Sequence, residues 1–314
     1  MRSAVPGARL YTRTFPKQLF RIGGFGVPGS NVRIAGLPIQ GAEMGVADAG
    51  APGSTGISIR SWTNIEIDNN EIYGWRGSGV EVLDDDGKIY LTFNPMTVRV
   101  HDNYIHHNQH QRKHGYGVTV GNGAHALIEK NVFDWNRHAI DGDGSDRSGY
   151  LAYRNLVLEN GGLTLWLLGT WAHTHMFDMH GQADCWLGDR NCGVAGEYMD
   201  IRYNTFLYNA AHAFRLRGTP SIRADVRDNV FKHESLWGVT TPYETLPGAL
   251  TQSESGLVAA NNQLGVDESG NLGHCDFNGD GRSDILWRHT NGQIAIWHMA
   301  GGVRTGDIYP GQGA

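Results

Sequence analysis

The sequence predicts an all-β solenoid, in which short parallel strands stack coil upon coil, and three observations support this class. An Asn that follows a short alternating run of apolar and polar residues recurs at intervals that include 24, 25 and 28 residues. A second pattern recurs at a constant interval of 37 residues. No amphipathic helical run competes with these alternating runs. Self-similarity at a period of roughly 20 to 30 residues is typical of repeat architectures.

The recurring Asn is predicted to end one strand and to start a turn. It follows runs such as Val98 to Val100, and two mostly apolar or β-prone residues come after it. In stacked coils an Asn amide can bond the amides above and below it, because neighbouring strands lie about 4.8 Å apart. The series consists of Asn70, Asn103, Asn131, Asn155, Asn204, Asn229 and Asn262.

The interval of 37 residues separates three segments, 138–144, 175–181 and 212–218. Each begins with His and continues with any residue, a large apolar residue, a charged residue, a spacer, a polar or charged residue and Gly. Because side chains alternate along a strand, the third position points one way and the fourth and sixth point the other. The segments therefore predict one exposed face that carries Asp141, Asp143, Asp178, His180, Arg215 and Arg217.

The distance from each Asn to the next strand sets the predicted register. It is 7 residues from Asn131 to His138, whereas the strands after Asn103 and Asn155 begin 13 and 20 residues later. Both longer intervals are expected to be loop insertions at the same corner of the solenoid. In this register one column of the core contains Val80, Val118, Ile140, Phe177 and Phe214.

A rival register remains open at the second of these insertions. Residues 161–166 also lie at a suitable distance from Asn155 and could replace 175–181 as the strand of that coil. That alignment would turn an apolar run partly outward and would make the 37-residue recurrence a coincidence. It would also remove Asp178 and His180 from the charged face.

Over roughly residues 20–265 these strands and Asn turns resemble the right-handed parallel β-helix of pectate lyases and polygalacturonases. The resemblance implies an all-β, single-stranded parallel β-helix built of PbH1-type repeats, with the Asn series as an internal ladder. We assign residues 1–265 to this domain and expect the sequence to begin within the solenoid. The chain has no close match to the Asn-Thr-Asp, Asp-Asp, Gly-His-Gly or Arg-Ile-Lys motifs of polygalacturonases.

Residues 266–314 are predicted to form a linker and a calcium-binding hairpin. Oxygen ligands stand at positions 1, 3, 5 and 9 of a loop with Gly at position 6, which is the spacing that wraps Ca²⁺. The run from Ile285 to His298 is expected to form a hairpin that turns on Asn291 and Gly292. Together they resemble a partial FG-GAP repeat, of the VCBS type. The expected calcium ligands are Asp276, Asn278, Asp280 and Asp284.

The charged face of the three coils is the predicted catalytic centre. Crowding raises the pKa of at least one carboxyl, while a nearby Arg holds another ionised, and this split suits a general acid and a general base. Two carboxylates one strand step or one diagonal apart fall near the spacing that leaves room for water in an inverting glycosidase. Polygalacturonases, as the resemblance implies, use several Asp with a His and a basic residue on this sheet.

Roles follow by position on that face. The expected carboxylates are Asp141, Asp143 and Asp178, and His180 is expected to orient groups or to shuttle protons. Arg215 and Arg217 are expected to clamp substrate. Further substrate contacts are expected from Glu81, Tyr116, His138 and Trp171.

Three functional alternatives stay open. The first is a secreted glycoside hydrolase, and the second is a lyase or C5-epimerase acting on a uronate polymer. In pectate lyases Ca²⁺ neutralises the uronate and an Arg removes its proton, so Asp141, Asp143 and Asp178 could hold an ion with Arg215 or Arg217 as base. The third alternative is a non-catalytic adhesin or carbohydrate-binding solenoid.

The histidines that open the three segments allow both a structural and a metal-binding interpretation. His138, His175 and His212 are expected to stack as a column at the corner and to bond the backbone and each other. Strand alternation places the side chain of His175 on the opposite face of the strand from Asp178 and His180, which argues against one site that all three share. A second metal ion near Asp141, Asp178 and His180 is the alternative.

Composition and charge limit the partners. A formal net charge of -6 without a Lys/Arg cluster argues against nucleic acid, and no stretch approaches 18 consecutive apolar residues, which argues against a membrane span. We expect a secreted monomer that acts on a polysaccharide, with its signal segment absent from this sequence. Cys185 and Cys192 could form a disulfide around a short polar loop, which would leave Cys275 over.

Overall fold

Three parallel sheets wrap the chain from Leu10 to Leu264 into a solenoid. The structure is a computed structural model that describes residues 10–12, 17–24, 26, 29–42, 53–85, 97–110, 114–165, 171–181, 192–207, 211–240, 245–246, 248–252, 254–265, 285–288, 294–300 and 303–309. In this part of the chain each coil contributes one strand to each of the three parallel sheets. We call these sheets B, C and A, in the order in which a coil passes through them, and give their strands below. The same residues contain no helix long and apolar enough to cross a membrane.

Within each sheet, a strand pairs with the equivalent strands of the coils before and after it. Sheet A consists of Leu10–Tyr11, Pro38–Gln40, Glu71–Tyr73, Tyr104–His106, Val132–Asp134, Leu156–Val157, Thr205–Phe206, Val230–Phe231 and Gln263–Leu264. Sheet B consists of Gln18–Gly23, Thr55–Arg60, Ser78–Leu83, Tyr116–Gly121, His138–Gly142, Phe177–Met179, Phe214–Leu216 and Leu250–Gln252. Sheet C consists of Ser30–Ala35, Thr63–Asp68, Val98–His101, His125–Glu129, Gly149–Tyr153, Tyr198–Arg202, Arg223–Arg227 and Leu257–Ala260.

The remaining strands are antiparallel and lie outside the coils. Leu163–Leu165 pairs with Trp171–His173, and Val239–Thr240 pairs with Thr245–Leu246. The C-terminal strands Ile285–Arg288, Ile294–Ala300 and Val303–Ile308 form a three-stranded sheet, which confirms the predicted hairpin. Ile296 of this sheet is buried in a small cluster with Tyr104, Val132 and Leu156 of sheet A. The four predicted calcium ligands, Asp276, Asn278, Asp280 and Asp284, lie outside the described residues.

The core is a stack of apolar side chains that repeats from coil to coil. Phe177 packs edge-on against Phe206 with ring centroids 4.9 Å apart, and Phe206 stacks on Phe231 at 5.0 Å. Burying one such side chain contributes about 1.5–3 kcal/mol. The predicted core column is confirmed, because its members pair in register and are fully buried: Val80, Val118, Ile140, Phe177 and Phe214.

The register of this column excludes the rival alignment. Ile140 pairs with Phe177, so residues 177–179 are the sheet B strand of their coil. Leu163–Leu165 instead forms half of the hairpin within the insertion that follows Asn155. Both predicted insertions therefore lie at the corner between sheets A and B, and the 37-residue recurrence marks three successive coils.

The predicted Asn ladder is present at the corner between sheets C and A. The side-chain amide of Asn131 donates to Asn155 Oδ1 at 3.1 Å and to the carbonyl oxygen of Val100 at 2.8 Å. Asn131 Oδ1 in turn accepts from the backbone N and the Nδ2 of Asn103, at 3.1 and 3.0 Å. Equivalent bonds link all seven members from Asn70 to Asn262.

A left-handed residue precedes each ladder Asn. The φ angles are 53° at Asn69, 54° at Asp102, Lys130 and Arg154, 59° at Tyr203, 58° at Asp228 and 54° at Asn261. This conformation costs an ordinary L-residue roughly 1–2 kcal/mol. The amide bonds of the ladder offset that cost, and the turn is sharp enough to send the chain from sheet C into sheet A.

A shorter second ladder, which the sequence analysis missed, lies at the corner between sheets A and B. Asn108 Nδ2 donates to Asn136 Oδ1 at 2.9 Å, and Asn136 Nδ2 donates to the carbonyl oxygen of Ile105 at 2.9 Å. Because the insertions at this corner break the regular spacing, the second ladder does not appear as a repeat in the sequence.

Cys192 is buried and disulfide-bonded. Its predicted partner, Cys185, falls outside the described residues, so the pairing itself stays a prediction. Cys192 lies between the sheet B strand Phe177–Met179 and the sheet C strand Tyr198–Arg202.

Replacing Asn131 by Ala is expected to lower the free energy of unfolding by about 3 kcal/mol or more. Ala removes the side-chain bonds to the backbone N–H of Asn103 and the carbonyl oxygen of Val100, and each buried group that is left unsatisfied costs about 1–3 kcal/mol. Urea and thermal unfolding followed by circular dichroism measure the loss. Asn262→Ala is the matched control, because Asn262 is half-buried at the end of the ladder. Equal losses for the two variants would contradict a ladder stabilised by burial.

Candidate active site

The charged positions predicted from the 37-residue recurrence form one ladder on the outer side of sheet B. Thr119 pairs with Glu81 on one side and Asp141 on the other, Asp141 pairs with Asp178, and Asp178 pairs with Arg215. The alignment of these positions is confirmed. The expected exposure is wrong at the centre, where Asp178 is 0% and Asp141 4% exposed.

Two histidines join the carboxylates because the alternation of side chains breaks at the start of these strands. The backbone N–H groups of Ala139 and Ile140 both donate to the carbonyl oxygen of Met176, at 2.8 and 3.4 Å, as in a β-bulge. Two consecutive side chains therefore enter the core. His138 then faces the same side as Asp141, three residues later.

The prediction that strand alternation places His175 and Asp178 on opposite faces is consequently wrong. His175 precedes the strand Phe177–Met179 and lies at the bend, where alternation does not apply. Its Nε2 atom is 3.1 Å from Asp178 Oδ2. The structure thus brings into one buried group, called the Asp178 cluster below, the side chains of His138, Asp141, His175, Asp178, His180 and Arg217.

Asp178 is the centre of this cluster. Its Oδ1 accepts from Arg217 Nε at 3.0 Å, and its Oδ2 accepts from Arg217 Nη2 at 2.7 Å. His180 Nε2 also lies 3.1 Å from Oδ2. Burial acts to raise the pKa of Asp178, but Arg217 and the flanking histidines outweigh it and hold the pKa well below its ordinary value. Asp178 is therefore ionised at neutral pH.

Asp141 is the second carboxylate and behaves in the opposite way. Burial raises its pKa to about 6, and the negative charge of Asp178 adds to the effect, although His180 acts against it. Asp141 Oδ1 is buried and has no hydrogen-bond partner among the residues described. His180 Nε2 lies 3.9 Å from this oxygen.

The two carboxylates lie closer together than an inverting mechanism requires. One oxygen of Asp141, one oxygen of Asp178 and a ring nitrogen of His180 all lie within 4.8 Å of one another. An inverting glycosidase needs roughly 6.5–9.5 Å between its carboxyl groups to admit a water. Asp141 and Asp178 are direct partners on adjacent coils and are too close for this role, whereas the inverting spacing is expected of carboxylates one strand step or one diagonal apart.

Stacking in the predicted histidine column is confirmed for His138 and His175, and backbone bonds show that Nδ1 carries the proton in His138 and His212. His138 and His175 stack with centroids 4.1 Å apart. His138 Nδ1 donates to the carbonyl oxygen of His175 at 2.7 Å, and His212 Nδ1 donates to that of Gly248 at 2.8 Å. Burial lowers the pKa of His138 well below its ordinary value and that of His175 to about 3. Both rings are therefore neutral at neutral pH.

His180 differs from these two rings. Burial acts to lower its pKa, but the Asp178 carboxylate raises it above the ordinary value. Its side chain is 23% exposed, more than Asp178 or Arg217. His180 therefore lies where the cluster opens to solvent.

Asp143 lies apart from the cluster, although the sequence analysis grouped it with the catalytic carboxylates. Its Oδ2 accepts from Asn122 N and Ser145 Oγ, both at 2.8 Å, and its Oδ1 accepts from Ser145 N at 2.9 Å and Ser148 Oγ at 3.1 Å. Four donors hold it in the turn that leaves sheet B. Asp143 stabilises this turn.

Two residues that were predicted to contact the substrate, Arg217 and Glu81, bind other side chains of the protein instead. Arg217 is buried against Asp178, which makes it part of the charge network and unsuitable as a free clamp. Glu81 accepts from Ser58 Oγ at 2.7 Å and from Arg60 Nη2 at 3.2 Å. Arg215 lies one coil beyond Asp178 on the same ladder and is half-buried.

Tyr116 extends the column by one coil toward the N-terminal end. Its ring stacks on His138 with centroids 5.7 Å apart. Arg137, which the sequence analysis missed, donates to the Tyr116 hydroxyl at 2.7 Å. Burial raises the pKa of Tyr116, as does the nearby Asp141. The position of Arg137 immediately before a recurring His was the only available sign of its role.

Aromatic rings follow the corner between sheets A and B. Trp171, in the hairpin inserted before His175, is 43% exposed and meets Trp135 edge-on at 5.6 Å. Trp135 stacks on His107 at 5.3 Å. Rings of this kind provide flat surfaces on which sugars stack.

Comparison with known proteins supports the fold and leaves the activity open. The family model described as a right handed beta helix region matches residues 28–162. No curated protein and no solved structure matches the chain. Together with the three parallel sheets, the family match defines this chain as a right-handed parallel β-helix protein, and that fold is common among polysaccharide-degrading enzymes.

The raised pKa of Asp141 predicts a pH-dependent stability difference between the protein and its Asp141→Asn variant. The carboxyl titrates at 3.8 when unfolded and at about 6 when folded, so its contribution to stability is full below pH 3.8 and is lost as pH rises through 6. One pKa unit corresponds to about 1.4 kcal/mol. Relative to the variant, the protein should therefore lose about 2 kcal/mol between pH 4 and pH 7, because part of the full contribution of about 3 kcal/mol is already lost at pH 4.

Denaturant unfolding of both proteins across this pH range measures the difference. A stability gap between them that stays constant with pH would rule out a raised Asp141 pKa.

Replacing Arg217 by Met is expected to cost about 3–5 kcal/mol of stability, because it leaves the Asp178 charge buried without its guanidinium partner. Arg223→Met provides the comparison. Arg223 is half exposed, and Asp225 keeps Arg227 at 3.0 Å after the change, so a much smaller loss is expected. Chemical denaturation of the two variants and of the unaltered protein measures both losses in the free energy of unfolding. Similar losses would show that burial of the Asp178–Arg217 pair is unimportant.

Proposed function

We propose that this protein is a carbohydrate-active enzyme that hydrolyses glycosidic bonds of an extended polysaccharide. The observation that supports it best is the pair of neighbouring carboxylates with opposite pKa shifts. Asp141 has a pKa of about 6, while Arg217 and the flanking histidines keep Asp178 ionised. A general acid needs a pKa near the working pH, and a neighbouring anion stabilises positive charge that develops on the sugar.

In this proposal Asp141 protonates the oxygen of the leaving group. Its unpartnered Oδ1 is the atom that can carry and release the proton. His180, on the more exposed side, orients the attacking water, and the Asp141 carboxylate that remains after the first step takes the proton which this water releases. Asp178 orients His180, because its Oδ2 lies 3.1 Å from His180 Nε2. Arg217 holds Asp178 in place through two hydrogen bonds.

The substrate would lie along the outer side of sheet B, across several coils. Arg215 is the basic residue next to the cluster on this ladder, and a uronate or sulfate group is a suitable partner for its guanidinium. Trp171 offers an exposed ring at the corner beside the cluster. These contacts favour a polymer over a small glycoside.

Secretion and calcium binding are part of the same proposal. The disulfide at Cys192 supports an oxidising compartment, where such bonds persist. The C-terminal sheet Ile285 to Ile308 has the hairpin expected of a partial FG-GAP repeat. A calcium ion held by the loop before it, Asp276 to Asp284, would complete that repeat.

A polysaccharide lyase is the second candidate. Asp178 already receives two bonds from Arg217 and contacts from two histidines, so only Asp141 has an unengaged oxygen among the described cluster carboxylates. Elimination from a uronate needs one base and one acid, and it does not need a second free carboxylate. Tyr116, beside Asp141 and His138, is an available proton donor for such a step.

The test is turnover on a panel of neutral and uronate polysaccharides. Hydrolysis should release reducing ends without ultraviolet absorbance, and Asp141→Asn should lower kcat by about 10²–10⁴-fold with little change in KM. Ser58→Ala, three coils away on the same ladder, should keep full activity.

Other outcomes identify the alternatives. A product that absorbs in the ultraviolet contains the double bond that only a lyase forms. Binding to a glycan without turnover on any member of the panel would refute the enzyme and support a binding solenoid.

A further inference from the structure

We infer that His138, His175 and Asp178 form a binding site for one divalent transition-metal ion of the Zn²⁺ or Co²⁺ type. The Nε2 atoms of the two histidines and one oxygen of Asp178 lie within 4.8 Å of one another, and all three side chains are buried. Two imidazoles and one carboxylate are a common ligand set for such ions, with further positions left for water or substrate. This inference does not depend on the proposed hydrolysis, because it concerns binding alone.

The proton of the His138 ring is on Nδ1, and this leaves Nε2 free of a proton and able to bind a metal ion. Its Nδ1–H donates to the carbonyl oxygen of His175 at 2.7 Å, which leaves the Nε2 lone pair directed into the cluster. Metal-binding histidines usually donate their other N–H to a carbonyl or carboxylate in this way. His138 Nε2 is fully buried and has no hydrogen-bond partner within the described part of the chain.

The short contact between His175 and Asp178 is stable only with a positive charge beside it. His175 Nε2 accepts from Arg217 Nη2 at 2.9 Å, so this nitrogen presents a lone pair to Asp178 Oδ2, only 3.1 Å away. Two lone pairs at this distance repel each other unless a positive group lies between them. Arg217 Nη2 supplies that charge here, at 2.7 Å from the same oxygen. A metal ion placed there would compete with the guanidinium and would gain His138 as an additional ligand.

Asp141 lies beside the proposed ligands. Its buried Oδ1 atom has no hydrogen-bond partner among the described residues, and one Asp141 oxygen lies within 4.8 Å of a ring nitrogen of His180 and of an oxygen of the same Asp178. A third described group of possible ligands, Glu66, Asp68 and His101, is unsuitable, because both ring nitrogens of His101 already have carboxylate partners.

The first experiment measures metal content and affinity of the full chain without a polyhistidine tag. Equilibrium dialysis against Co²⁺ or Zn²⁺, in excess Ca²⁺ to occupy oxygen-only sites, should give one bound ion per chain. The Co²⁺ form should show the visible absorption bands that nitrogen ligands intensify. His138→Ala and His175→Ala should each weaken binding at least hundredfold and abolish these bands.

His212→Ala is the matched control. His212 occupies the same position one coil further on, is buried, and also donates its Nδ1–H to a backbone carbonyl, but it belongs to neither ligand group. Its affinity for Co²⁺ should equal that of the unaltered protein. Absence of stoichiometric binding, or an equal loss in His212→Ala, would overturn the inference.

Arg217→Met gives an independent readout that does not require the histidine variants to fold. Without the competing guanidinium, Co²⁺ should bind at least tenfold more tightly. Because a ligand of the folded state stabilises it, the Tm of this variant should rise with Zn²⁺ concentration more than that of the unaltered protein. A Tm of Arg217→Met that does not respond to Zn²⁺ would also overturn the inference.

Discussion

The hydrogen-bonded register between successive coils is the constraint on which the rest of this protein depends. Parallel pairing places residue upon residue at about 4.8 Å, so a slip of one residue would turn every side chain of a strand to the opposite face. The Asn ladder fixes this register at one corner, because each amide bonds both neighbouring coils and a core carbonyl. The left-handed residues before the Asn positions are tolerated only because these bonds hold the turn.

The same stacking explains why charge accumulates on sheet B. Coils repeat their shape, so the fourth positions of three segments are forced into contact as Asp141, Asp178 and Arg215. Buried like charges are costly unless they are paired or neutralised. The protein uses both solutions: Arg217 keeps Asp178 ionised, and the raised pKa of Asp141 allows it to hold a proton. An acid and an anion on adjacent strands are the chemical result.

Some of this site could be predicted from spacing, and some could not. The 37-residue interval was sufficient to align Asp141 with Asp178, and the spacing from the Asn turns placed both insertions at one corner. The alternation rule then failed at His138 and His175, because two amides share one carbonyl at the strand start and the chain bends there. Asp143 was misplaced for a related reason, since it follows the last strand residue and is held by turn donors.

The coil period, the internal ladder, the core column and the charged ladder could all be predicted from the sequence, because each is a local pattern repeated at a regular interval. The burial of those charges, the histidine nitrogens that face Asp178 and the pairing of Arg217 with a carboxylate of the preceding coil could not. These properties depend on contacts between residues about 40 positions apart and on the exclusion of water. Both arise only when the coils close upon one another.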